Sequence, residues 1–175
     1  MERENSASAD VVTPGAPAAP IGLDHIAHPS FDVAATHRFY TEVLGARLVS
    51  ATSAHSPEWS ARFLLAAYRL ERAELDFFSY EGIVRPPPDG LPHDIRHAGI
   101  ALASAEDVTR VRERLERHSV AYWVERHEDG DDEHLYVCDP NGLVLEFSVA
   151  APPYPERDDA LDVVRNWIDS LGPTA

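Results

Sequence analysis

The chain reads as an α+β fold made of two copies of a β-α-β-β-β unit, and three observations carry that reading. The order of strand and helix signals in the first half recurs in the second, which marks an internal duplication. A segment holding Pro86, Pro87, Pro88, Gly90 and Pro92 separates the copies and suits neither a helix nor a central strand. Residues able to carry chemistry return at nearly the same interval, one histidine and one carboxylate in each half.

Residues 1–20 are rich in Ala, Pro and Ser and cannot bury enough apolar surface to offset ordering, so a disordered tail is expected there. The main domain is expected over 21–150, with modules at 22–81 and 93–149 and the Pro-rich linker between them. In the first module, residues 23–28 read as a strand and Asp32 as the N-cap of a helix reaching about Leu44. Val33, Tyr40, Val43 and Leu44 give that helix its apolar face, and Gly45 stands where a left-handed C-terminal cap is needed. Strands follow at 46–53, 62–70 and 73–80, the first two divided by the turn-like His55-Ser56-Pro57.

The second module repeats the order. Residues 95–103 form a strand, and Ser104 caps a helix with Asp107 three places on and Val108, Val111 and Leu115 inside. Strands at 120–125, 135–138 and 143–149 complete it, with a charged turn at 128–132 and Asp139-Pro140-Asn141-Gly142 as a tight turn. Residues 156–171 predict a C-terminal amphipathic helix with Leu161, Val164, Ile168 and Leu171 on one side, expected to pack on the outside of the sheet.

Charge narrows the function. A net charge of −15 argues against nucleic acid, which needs a basic footprint, and against anionic membrane surfaces. The single cysteine, Cys138, permits neither an intrachain disulfide nor a cysteine-based zinc cage. It reads as a small buried hydrophobe in a reducing compartment, and with no signal-like or membrane-spanning stretch the expectation is a cytoplasmic protein acting on a small-molecule substrate.

Period-two alternation assigns side chains to faces. Leu143, Leu145, Phe147 and Val149 suit the helix side of the last strand, so Glu146 faces the other way. Ala98, Ile100 and Leu102 place His97 opposite them; Leu75 and Phe77 leave Glu74, Asp76, Phe78 and Tyr80 on the outer face; His25 shares a face with Leu23 and Ala27. His25 and His97 lie 72 positions apart, Asp76 and Glu146 lie 70 apart. Two imidazoles and two carboxylates in matching register predict one divalent metal site at His25, Asp76, His97 and Glu146. Such mixed donors suit Zn, Mn, Fe, Co or Ni without choosing among them. His28, His37, His93, His118 and His134 read as structural, His134 leading into a strand within reach of the pocket rim.

The motifs resemble a known family, the vicinal oxygen chelate superfamily of glyoxalase I, methylmalonyl-CoA and cyclitol epimerases, extradiol dioxygenases, and fosfomycin- and bleomycin-resistance proteins. The resemblance rests on Leu23-Asp24-His25-Ile26-Ala27, Arg38-Phe39-Tyr40-Thr41-Glu42-Val43-Leu44-Gly45, Leu75-Asp76-Phe77-Phe78-Ser79-Tyr80, Arg96-His97, and the run from Leu135 through Asp139-Pro140-Asn141-Gly142 to Glu146-Phe147. It implies that the βαβββ modules curl into one cup-shaped, mixed, β-barrel-like sheet around a metal that substrate oxygens chelate, and that a homodimer is common among relatives. It puts His25, His97 and Glu146 on ligand positions, and Asp76 where isomerases usually carry Glu. That shortening leaves Asp76 as ligand, water-bridged or free, with Glu74 as a fallback.

Two chemistries then follow. With both carboxylates at the metal, Asp76 and Glu146 remove and return a proton beside a polarised carbonyl, which is epimerase, isomerase or glyoxalase-like chemistry. With His25, His97 and Glu146 alone, an Fe(II) facial triad would support extradiol dioxygenase chemistry. The first is favoured because the fourth carboxylate is present in register. Antibiotic-resistance transfer and drug binding are further alternatives.

Overall fold

A computed structural model describes residues 23–71, 73–88, 90–92, 95–126, 133–150 and 158–170. The expected tail at 1–20 and the charged turn at 128–132 lie outside the described residues. The elements are β1 (Ile26–Pro29), α1 (Val33–Arg38) continued by a π-helical turn (Phe39–Val43), β2 (Arg47–Ser56), β3 (Ala61–Leu70), β4 (Ala73–Tyr80), β5 (His97–Leu102), α2 (Ala105–Arg117), β6 (Tyr122–Arg126), β7 (Glu133–Cys138), β8 (Val144–Val149) and α3 (Ala160–Ser170). The α+β order β-α-β-β-β is thus present twice. Each module makes an unclosed four-stranded mixed sheet, β1-β4-β3-β2 and β5-β8-β7-β6. In both, the first strand runs parallel to the last, and the remaining pairs are antiparallel.

Local chemistry explains the boundaries. Asp32 Oδ1 accepts from Ala35 N at 2.8 Å and Ser104 Oγ from Asp107 N at 3.3 Å, so both caps hold as expected. Gly45 closes the first helical segment at φ +75°, and an added Cβ would lie 2.6 Å from an Arg114 Nη atom. That guanidinium donates to Val43 O at 2.7 Å and Glu42 O at 3.1 Å, binding α2 to the carbonyl end of the π-turn. Val33, expected inside, is exposed; Tyr40 and Val43 are buried as expected, and Thr36 and Phe39 join them in the core.

One core joins the modules. Tyr40, Tyr68, Leu75 and Phe77 from the first lie in the same cluster as Ile100, Leu115, Leu135, Leu145 and Phe147 from the second. The Asp139-Pro140-Asn141-Gly142 turn is also a polar joint. Asn141 Oδ1 accepts from Phe31 N at 3.0 Å and its Nδ2 donates to Thr36 Oγ1 at 2.9 Å, while Tyr40 OH donates to Asp139 Oδ2 at 3.1 Å. Asp139 Oδ1 accepts from Asn141 N and Leu143 N, both at 2.8 Å, which holds the turn in shape. Asn141→Ala would strand the buried partners, and a loss of about 2–3 kcal/mol is expected, read as a lower urea midpoint at unchanged slope.

The same joint makes stability sensitive to alkali. Burial first, then the Asp139 charge, pushes the Tyr40 phenol well above its ordinary value of 10.0. A raised folded value means the stabilisation is complete below the unfolded value and lost as pH climbs from there toward the folded one. Burial raises Tyr68 as well. Unfolding free energy should therefore fall above pH ~10, by up to about 1.4 kcal/mol per pH unit for each such phenol. Tyr40→Phe should flatten that fall in urea titrations between neutral and alkaline pH.

Two expectations change here. Strand β2 continues through His55 and Ser56, paired with Arg62 and Ala61, so the turn lies at 57–60 rather than at His55-Ser56-Pro57. Helix α3 forms where expected, but all its residues are exposed, Trp167 among them, so it does not pack on a sheet among the described residues. No described helix is long and apolar enough to cross a membrane.

Candidate metal centre

In the first module, β4 lies between β1 and β3, and Asp76 has Ala27 and Ala67 as its cross-strand partners. His25 directly precedes β1, and its Nε2 lies 4.0 Å from Asp76 Oδ2. Its Nδ1 is 3.0 Å from Asp24 Oδ2; that bond, with the charges of Asp76, Asp24 and Glu74, raises the imidazole pKa above its ordinary value against the opposing effect of burial. Asp76 Oδ1 is buried with no hydrogen-bond partner. A carboxylate oxygen so placed is costly unless a cation or proton meets it. Glu74, the fallback, is engaged by Arg69, whose Nε donates to Glu74 Oε2 at 3.1 Å.

The second module repeats the arrangement. On β8, Glu146 has Gly99 of β5 on one side and Tyr136 of β7 on the other. His97 Nε2 is 2.7 Å from Glu146 Oε2, and its ring stands edge-on to Tyr136 at 5.8 Å and 89°. Tyr136 in turn stacks on Trp123 at 5.4 Å and 13°. A Cβ at Gly99 would touch nothing within 4 Å, so the space beside Glu146 is open.

His134, expected from the sequence to be structural and at most within reach of the rim, belongs to this group. Its Nδ1 lies 2.5 Å from Glu146 Oε1, so imidazoles hold both oxygens of the carboxylate. The signal was available: His134 is two residues before Tyr136 on the same strand, hence on the same face. Cys138 corrects an expectation. It is exposed rather than buried, although partial burial and the Asp139 charge still push its thiol above the ordinary range, away from nucleophilic use.

The structure therefore brings His25 to Asp76 and His97 to Glu146, as two pairs. His134 joins the second pair through Glu146, yet among the described residues no three His, Cys, Asp or Glu side chains are placed to hold one metal ion together. A cavity of about 830 Å³ runs along β5, lined by Gly99, Ala101, Leu70, Ala73 and Phe147, and includes none of the four predicted ligands.

Residues 22–147 match the family model described as the Glyoxalase/Bleomycin resistance protein/Dioxygenase superfamily. The chain belongs to this superfamily. No curated protein matches the sequence. Among solved structures, this glyoxalase-superfamily chain is similar to the glyoxylase/bleomycin resistance protein/dioxygenase domain from Frankia sp. EAN1pec, at 18% identity over 76% of this chain and 100% of that one, TM-score 0.59. It is similar to lactoylglutathione lyase from Agrobacterium tumefaciens, at 20% identity over 75% and 95% of the two chains, TM-score 0.52. It is also similar to a mutant form of the genomically encoded fosfomycin resistance protein FosX from Listeria monocytogenes, complexed with Mn(II), at 18% identity over 76% and 95%, TM-score 0.54. At these identities the likeness speaks to the fold.

Proposed function

We propose that this chain is a metal-dependent epimerase or isomerase that moves a proton beside a carbonyl of a small oxygenated substrate. One observation carries the reading: the two modules hold the same pair in the same register. Asp76 stands across from Ala27, two residues past His25, and Glu146 stands across from Gly99, two residues past His97. Duplicated acid–imidazole pairs, one in each sheet, have the chemistry of a mixed-ligand divalent site, and the orphaned Asp76 Oδ1 fits such a cation. His25, His97, Glu146 and Asp76 would hold it. Bound there, a divalent ion supplies Lewis acidity to a substrate carbonyl.

The chain's own residues do the rest. Asp76 and Glu146 take and return the proton at the adjacent carbon from opposite sides. His134 keeps Glu146 oriented through Oε1. Joining the pairs calls for a second copy. Strands β1 and β5 each stand at the end of their sheet, beside the histidine of their own pair. Sheet ends are templates for strand pairing. A twofold dimer laying β1 of one copy beside β5 of the other unites one pair from each.

A second reading, Fe(II) extradiol dioxygenase, uses His25, His97 and Glu146 alone as the triad, with Asp76, one methylene shorter than Glu, left off the metal. Metal analysis of protein purified without added metal, with deuterium exchange into an α-hydroxy-ketone or acyl thioester, tests the first reading. Iron, catechol-dependent oxygen uptake and no exchange would replace it with the second.

A further inference from the structure

The face that carries Asp76 continues into an aromatic surface. Asp76, Phe78 and Tyr80 alternate on β4 and share one side. Phe78 has Pro29 and Leu65 as cross-strand partners; Tyr80 has Phe63, which pairs with Ala54. At the tip of the β2–β3 hairpin, Trp59 meets Phe63 edge-on at 5.6 Å and lies 6.0 Å from Tyr80. Trp59 is 47% and Tyr80 43% exposed, so two large rings face solvent on the side of the candidate ligands.

Spacing and charge give this surface a direction. Two residues along a strand cover about 7 Å and four about 13 Å, so Phe78 and then Tyr80 lie at those steps from Asp76. The Pro29-Phe78-Leu65-Thr52 and Tyr80-Phe63-Ala54 rows carry no charged side chain. Charge lies the other way, where Arg47 pairs in register with Arg69 and Arg69 is tied to Glu74. Among the described residues of these rows a phosphate or carboxylate tail extending toward the hairpin would meet no cation, the nearby Arg62 standing on the opposite face beside Glu81, whereas a flat ring would meet ring faces and edges.

We propose that the substrate of the His25–Asp76 side carries an uncharged aromatic body, which lies along Phe78 and ends against Phe63, Tyr80 and Trp59. The inference rests on the proposed metal-assisted reading for the oxygen end and names the class: aryl-substituted hydroxy-ketones rather than short aliphatic or anionic ones.

Calorimetric titration of the full chain, equilibrated with Mn(II), tests it with three probes. These are 2-hydroxy-1-(2-naphthyl)ethanone, its ring carboxylate, and hydroxyacetone. The naphthyl ketone should bind at least about tenfold more tightly than either of the others. Trp59→Ala should weaken the naphthyl ketone about tenfold and leave hydroxyacetone unchanged, and Trp59→Phe should restore most of the difference. Equal affinities for the three probes, or no effect of Trp59→Ala or Tyr80→Ala on the naphthyl ketone, would overturn the proposal. Metal content measured on the same samples separates the two readings. Aromatic preference without bound metal keeps the aryl site and removes the metal reading; bound metal without aromatic preference removes the aryl site alone.

Discussion

Replacing His97 with alanine should cost about a hundredfold or more in metal affinity and a comparable share of turnover, while the protein stays folded. His97 is partly exposed on the sheet face, where its Nε2 meets Glu146 Oε2 at 2.7 Å and its ring meets Tyr136. Removing it leaves one oxygen of Glu146 without that partner, while His134 still holds the other. The lost contact is worth about 1–3 kcal/mol, against the roughly 5–15 kcal/mol that keeps a domain folded. A metal ion has no such reserve, because each missing donor removes a bond outright. His134→Ala should fall between wild type and His97→Ala, about 10–100-fold down in metal affinity, since it orients Glu146 rather than supplying the pair. Elemental analysis with far-ultraviolet circular dichroism reads both quantities. Wild-type metal content and turnover in His97→Ala would remove His97 from the site.

Much of this geometry was legible in the sequence because alternation is a local rule. Leu75 and Phe77 are buried, as are Ala98, Ile100, Leu145 and Phe147, and that is enough to turn Asp76, His97 and Glu146 to the opposite face. Gly45 and Gly142 take positive φ, as their positions require. What escaped depends on distant partners. Whether β2 ends at Ser53 or Ser56 is settled by pairing with β3, and that pairing moves the turn onto Trp59. The composition of Asp139-Pro140-Asn141-Gly142 announces a turn, but not that Asn141 reaches Phe31 110 residues away. An amphipathic pattern at 160–170 announces a helix, but not a surface to receive it. Likewise, the faces of two sheets follow from their own strands, whereas the placement of one sheet relative to the other follows from inter-module contacts such as Tyr40 with Asp139 and Arg114 with Val43. Among the described residues the four expected donors stand as two pairs.

That division leads to the most discriminating expectation, which concerns mixtures rather than single variants. His25→Ala and His97→Ala should each be inactive alone. If the centre is shared between copies, a dimer of one variant with the other has one centre carrying both lesions. Its second centre carries neither: the intact His25–Asp76 pair comes from the His97→Ala copy and the intact His97–Glu146 pair from the His25→Ala copy. Random exchange at equal concentrations makes about half of the dimers mixed, each with one good centre of two, so about a quarter of wild-type sites should return. A centre built within one copy gives the opposite result, because every chain in the mixture then carries one lesion in its own site and nothing returns. The measurement is metal bound and turnover after co-refolding or subunit exchange, beside light scattering for the dimer. Recovery near a quarter would support a centre that joins one pair from each copy across a twofold. A well-exchanged dimeric mixture that stays inactive would confine the centre to a single copy and require its two sheets to close on each other instead.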